Sequence, residues 1–133
     1  MVLLDTNVII NLVRQPETVK PIILARLSDP KEYRSTSLIS FWEITIKHRK
    51  GKLPMPEPFA SAPSETFASW CFRAVIDILP IEQAQIALAM RLEFPNDDPF
   101  DRLIAAAAIS KGQPLVTSDA QFKRCAGLEV LLV

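Results

Sequence analysis

Acidic side chains recur at the points where this chain turns into helix. Asp5 follows the apolar Val2-Leu3-Leu4, Glu43 stands three residues after Ser40, Asp98 and Asp101 flank Pro99-Phe100, and Asp119 ends the segment PLVTSD. Oxygen ligands of this kind, with no His or Cys among them, suit Mg²⁺ or Mn²⁺. The chemistry such a set supports is phosphoryl transfer, with a metal-activated water as nucleophile and the ion offsetting charge on the attacking and leaving oxygens. Asn7, Thr117 and Ser118 lie beside these acids and could orient a water or a carboxylate; a turn amide and an N-cap hydroxyl are their ordinary uses. The acids have ordinary uses too. Ser40-Phe-Trp-Glu43 and Asp98-Pro-Phe-Asp101 both fit the pattern in which a capping side chain and the residue three positions on satisfy orphan backbone donors. Asp5 and Asp119 each precede a helix, whose dipole favours an anion by about 0.3 to 1 kcal/mol.

Whether the acids cap helices or hold a cation depends on the elements that carry them. Val2-Leu3-Leu4 reads as a strand, and "TNVIINLVR" as a helix stopped at Gln15-Pro16. A second helix is expected from near Pro21 to the Asp29-Pro30 break, and "YRSTSLI" is a weak strand. "SFWEITIKHRKGK" reads as a helix beginning at Ser40 and closed by Gly51 as a left-handed cap. The proline-rich stretch from Leu53 to Pro63 is expected to be an extended loop, followed by a helix over Ser64 to Ala74 and a strand over Ile76 to Leu79. "EQAQIALAMRLEF" places Ile86, Ala87, Met90 and Phe94 on one helical face. "DPFDRLIAAAAISKG" is a helix closed by Gly112, and "PLVTSD" and "LEVLL" are two more strands. Alternation of strand and helix predicts an α/β fold with three α/β/α layers around a central, mostly parallel sheet, in one domain spanning residues 1–133. In such a sheet Asp5 and Asp119 end strands at the carboxyl edge, and the first turns of the following helices face the same edge. The acids can then converge, and two carboxylates about 4 Å apart repel by about 4 kcal/mol at an effective dielectric of 20. A cluster of that kind needs a cation or raised pKa values.

Other chemistries lack their residues. The chain has one histidine, His48, where a metal-free ribonuclease wants two imidazoles. It has no GxSxG, no GxxxxGK[ST] and no CxxC, so acyl transfer, nucleotide cradling and zinc sites have no support. Cys71 and Cys125 are expected to be packed thiols in a reducing cytoplasm. No apolar run is long enough to span a membrane. Fifteen Lys and Arg balance fifteen Asp and Glu, which argues mildly against nucleic acid; with four carboxylates sequestered around metal, fifteen cations would face eleven anions.

"LLDTNVII", "SFWEITIKHRKGKL", "DPFDRLIAAAA" and "LVTSD" together resemble the PIN-domain family, especially the VapC-type toxins of bacterial toxin–antitoxin pairs, and the likeness spans nearly the whole chain. The resemblance implies a Mg²⁺- or Mn²⁺-dependent endoribonuclease held inactive by a cognate antitoxin, with homodimerisation as a family expectation. Carried over by position, the acidic set is Asp5, Glu43, Asp101 and Asp119. Asp98 then caps the helix and supports the ion's ligands from behind. Relatives often carry His-x-Asp-Pro-Phe-Asp where this chain has Asn96-Asp97-Asp98, so an imidazole is lost and a negative charge added. RNA would need cations, and the densest basic run is His48, Arg49, Lys50 and Lys52, which equally fits a helix end compensating its own dipole. Trp42 and Trp70 could stack bases but sit in apolar surroundings typical of core aromatics. Two rivals stand beside the nuclease. An aspartyl phosphatase or phosphotransferase would want a second Asp where Asn7 stands, and a non-catalytic partner-binding module would not need the carboxylates at all.

Overall fold

The computed structural model describes residues 1–133. Strand β1 (Val2–Leu4) leads into helix α1 (Thr6–Arg14), a 3₁₀ turn (Pro16–Thr18) and α2 (Pro21–Leu27). Then come β2 (Arg34–Ser37), α3 (Leu38–Arg49), α4 (Pro63–Arg73), β3 (Ile76–Leu79), α5 (Gln83–Arg91) and α6 (Pro99–Lys111). The chain closes with β4 (Leu115–Thr117), a 3₁₀ turn (Ala120–Arg124) and β5 (Val130–Leu132). The five strands form one sheet in the order β3-β2-β1-β4-β5, every pair parallel. No helix is long and apolar enough to cross a membrane.

The strands are short. β2 buries the hydroxyls of Ser35 and Thr36, which donate to the Val2 and Leu4 carbonyls of β1. The other four run largely apolar because both faces are covered, as parallel sheets require. β1 shows this directly. Val2 and Leu4 point into a cluster with Val8, Ile9, Ile44, Phe59 and Phe67 on one face, while Leu3 joins Ile39, Ile104, Leu115 and Phe122 on the other. Successive side chains alternate between faces, so a three-residue strand anchors both cores. Ala105 to Ala108 are all buried in α6, and small side chains there let the helix lie close against the sheet. Met55 and Phe59, from the proline-rich loop, are buried in the first core, so that loop is packed as well as extended.

Two local expectations are corrected. Helix α3 starts at Leu38, and its cap is Ser37, whose hydroxyl accepts from Ile39 N at 3.1 Å. Ser40 and Glu43 lie inside the helix and do not form its capping box. Helix α5 buries Gln85 and Ala89, whereas Ile86 and Met90 are 48% and 65% exposed and Phe94 lies beyond the helix end. The other caps fall as expected: Asp98 starts α6, and Gly51 and Gly112 take left-handed φ values of 72° and 63° after α3 and α6.

Strand order sets where ligands bind. From β1 the chain crosses to β2 on one side, then returns from β3 to β4 on the other, so the order reverses between β1 and β4. A crevice opens at the carboxyl ends of strands flanking such a reversal. Asp5 leaves β1 at that point, Asp119 follows β4 two residues past its end, and α6 begins at the same edge because it runs back to deliver Pro114 beside Leu3.

Candidate active site

Asp5 lies deepest. Its backbone is still extended and its amide still donates to Val116 O, but its carbonyl takes the first helical hydrogen bonds from Val8 and Ile9, so the strand passes into helix here. Its side chain is 3% exposed. Oδ1 accepts the Thr6 amide at 2.7 Å and Oδ2 accepts the Thr117 hydroxyl at 2.7 Å; that hydroxyl oxygen in turn accepts the Asp119 amide at 3.0 Å. One threonine thus ties the ends of β1 and β4 together. Burial pushes the Asp5 carboxyl up to about 7, against the pull of the Thr117 and Thr6 hydrogen bonds and with help from the charges of Asp101 and Glu43.

Glu43 is reached by helical periodicity. Ile39, Ser40, Glu43 and Ile44 form the buried stripe of α3, and that stripe meets the start of α1. Thr6 donates its hydroxyl to Glu43 Oε1 at 2.6 Å and lies 3.0 Å from Ser40 Oγ. Lys47, one turn further along α3, donates to Glu43 Oε2 at 2.5 Å. Partial burial would lower the Lys47 ammonium, but the hydrogen bond and charge of Glu43, with Asp98 and Asp101 adding, raise it.

Asp98 and Asp101 divide the work that their spacing left open. Asp98 is exposed and caps α6, accepting from Phe100 N at 2.8 Å and Asp101 N at 3.4 Å. Asp101 is half-buried and faces the other acids: burial pushes it up to about 6, opposed by an Asn96 hydrogen bond and reinforced by Asp98, Glu43 and Asp119. Asn96 stands at the position of the family's histidine. It donates Nδ2 to Asp101 Oδ2 at 2.8 Å and to Gln121 Oε1 at 3.3 Å, while its Oδ1 accepts Asp98 N at 2.8 Å. Asp119 is half-buried and caps the turn after β4 through Gln121 N at 2.9 Å.

Four residues that shape this site lie outside the candidates drawn from the sequence: Thr6, Lys47, Asn96 as an amide clamp, and Arg102. The Arg102 guanidinium donates to the carbonyls of Ala89, Leu92, Phe94 and Asn96 at 2.8 to 3.0 Å, fixing the loop that delivers Asn96 and Asp98. An i+4 lysine after a glutamate is the only sequence signal for Lys47 and the departure from the family's histidine the only one for Asn96; nothing local marks Thr6 or Arg102.

The basic run lies apart from the acids. His48 accepts Met55 N on its Nδ1 at 3.0 Å and packs edge-on against Phe59, which anchors the following loop. Arg49, Lys50 and Lys52 are exposed at the far end of α3. Asn7 and Ser118 are exposed beside Asp5 and Asp119. Trp42 is about half exposed and meets Phe100 edge-on at 5.0 Å, whereas Trp70 stacks on Phe59 at 5.5 Å. The largest cavity, about 370 Å³, is lined mainly by Leu12, Leu24, Leu27, Ala74 and Ile76. It touches the first residues of β2 and β3 and so opens at the amino edge, away from the carboxylates.

The donor set fits a hard divalent cation in kind. It is all oxygen, and the ion pairs of the chain leave Asp5, Asp101 and Asp119 without a cationic partner. As the side chains stand, no three Asp, Glu, His or Cys residues are close enough to grip one ion together. The charges of Glu43 and Asp101 act on Asp5, and those of Asp98, Glu43 and Asp119 on Asp101, so the acids are within electrostatic reach of one another. A shared ion would need them closer than they stand.

A family model described as PIN domain matches residues 2–128. No curated protein sequence matches. Among solved structures, VapBC2 from Rickettsia felis, bound to a promoter DNA fragment, superimposes with a TM-score of 0.71 at 19% identity, covering 99% of this chain and 98% of that one. DNA-bound VapBC from Salmonella typhimurium gives 0.70 at 21%, covering 98% of each chain. FitAcB from Neisseria gonorrhoeae gives 0.70 at 22%, covering 98% and 96%. At these identities the likeness is one of fold.

Proposed function

From the premise that this chain belongs to the PIN-domain family, we propose that it is a metal-dependent endoribonuclease and the toxin of a toxin–antitoxin pair. The observation that carries the reading is Asp5: a nearly fully buried carboxylate at the strand-order reversal, with no cationic partner and with the charges of Asp101 and Glu43 acting on it. Leaving such an anion uncompensated is costly. A bound Mg²⁺ or Mn²⁺ would supply that compensation, an activated water and stabilisation of the leaving oxygen.

The chain's own residues do the positioning. Thr117 and the Thr6 amide fix both oxygens of Asp5, Thr6 holds Glu43, and Asn96 holds Asp101 through Oδ2, leaving Oδ1 without a hydrogen bond. Asp119 likewise bonds through Oδ1 alone. Those two uncommitted oxygens would be free to take part in holding an ion for an RNA phosphodiester. The partner proposed is a cognate antitoxin, a reading supported by the similar folds of the VapBC and FitAcB structures.

The test is cleavage of total RNA by protein purified free of antitoxin. Cleavage in Mg²⁺ or Mn²⁺ that stops in EDTA, and falls at least about a hundredfold in Asp5→Asn, is expected. Cleavage that persists in chelator, or survives Asp5→Asn at full rate, would reject the metal mechanism.

A further inference from the structure

Lys47 is the only lysine or arginine paired with any of the four acids. Its pairing is asymmetric: the Lys47 side chain is 40% exposed while that of Glu43 is 5% exposed. The anion is fixed in the interior by the Thr6 hydroxyl on Oε1, and the ammonium reaches in from solvent to Oε2. Both oxygens of Glu43 are thus committed. A divalent ion that used Glu43 would have to share or displace the ammonium. Lysine suits this exchange, because its charge is a compact point on a flexible four-carbon stem and can swing aside without disturbing the helix.

We propose that Lys47 is a resident counter-ion of the acidic site, a positioning residue that holds Glu43 and competes with the divalent ion for it. The proposal rests on the reading that the site takes such an ion. In the metal-free protein the ammonium relieves a buried carboxylate that would otherwise be unpaired, an arrangement whose loss is strongly destabilising. When an ion binds, the same relief comes from the metal, and Lys47 becomes dispensable for stability. Competition of this kind is reciprocal: whatever Lys47 contributes to holding Glu43 is subtracted from the affinity of the ion.

Two readouts without RNA test it. Mn²⁺ binding is measured by calorimetry on wild type, Lys47→Met, Lys47→Gln and Lys47→Arg, and each protein is melted in chelator and in saturating Mn²⁺. Lys47→Met is expected to bind Mn²⁺ about fivefold or more tightly than wild type. Its melting deficit in chelator should shrink in Mn²⁺, and Lys47→Arg should bind as wild type does. Lys47→Gln puts a neutral hydrogen-bond donor in place of the charge, so it serves as the second neutral variant should Lys47→Met not fold, and is expected to bind more tightly than wild type as well. Unchanged or weaker binding by the neutral variants, or a melting deficit equal with and without Mn²⁺, would show a plain helix salt bridge and overturn the proposal alone. Absence of Mn²⁺ binding to the wild type would overturn both the proposal and the metal-site reading beneath it.

Discussion

At the scale of single residues, the site is made by side chains that serve two masters at once. Thr117 donates to Asp5 and accepts from the Asp119 amide, so its one hydroxyl couples two acids carried by different strands. Asn96 does the same for Asp101 and the turn after Asp119. Where the family's histidine would titrate near neutrality, an amide keeps a donor on Asp101 at every pH. Removing the clamp in Asn96→Ala should lower cleavage roughly tenfold, the usual effect of losing a residue that orients a metal ligand. Rates compared in steady state, with folding checked by circular dichroism, decide this; an unchanged rate would mean that Asp101 needs no orienting partner. Asp98 works differently, as a cap. Asp98→Ala should cost about 1 kcal/mol in urea unfolding, and Asp98→Asn should recover most of it, since Asn caps about as well as Asp. Equal losses in both variants would assign Asp98 an electrostatic role in place of capping.

At the scale of elements, most of the fold could be read before any coordinates. The strands around Asp5 and Asp119 and the helix from Pro99 to Lys111 carry local signatures: an apolar run broken by an acid, a cap followed by proline, and a closing glycine. What local reading could not reach was decided by tertiary contact. Ser37 and Ser40 are each a serine ahead of an apolar run, and the choice between them is made by β2, whose Ser37 pairs with Leu79 and so ends the strand there. Glu43 is thus a mid-helix residue with no capping role, and it lies on the buried stripe with Ile39, Ser40 and Ile44. Helix α5 went the other way. Ile86 and Met90 have the spacing of a core face, yet α6 covers Ala89 and Gln85, whose Oε1 accepts the Glu82 amide at 3.3 Å. The small Ala89 lets α5 lie close against its neighbour, and Ile86 and Met90 are left on the outer face.

At the scale of the molecule, the fold accepts an electrostatic cost at its carboxyl edge, and that cost has a pH signature. Asp5 is raised to about 7 and Asp101 to about 6, each from an ordinary value of 3.8. Below about pH 4 these groups hold their protons in both folded and unfolded chains and contribute no difference. Between about pH 4 and pH 7 the unfolded chain releases them while the folded chain retains them, so the unfolded state binds fewer protons and stability falls as pH rises. Above about pH 7 the full cost is present and the contribution levels off. A divalent ion reverses this, because ligands must be deprotonated to bind it and proton and metal compete for the same oxygens. The metal-free protein should therefore melt at a lower temperature at pH 8 than at pH 5.5. Millimolar Mg²⁺ should raise the midpoint at pH 8 and do less at pH 5.5, where Asp5 and Asp101 largely hold their protons. Melting curves at the two pH values, each with Mg²⁺ and with chelator, separate this from general salt effects if KCl of matched ionic strength is run alongside. Equal Mg²⁺ shifts at both pH values would mean that the buried acids do not share one ion. The same measurements on Asp5→Asn should lose most of the pH-dependent difference, since that variant removes the deepest of the charges.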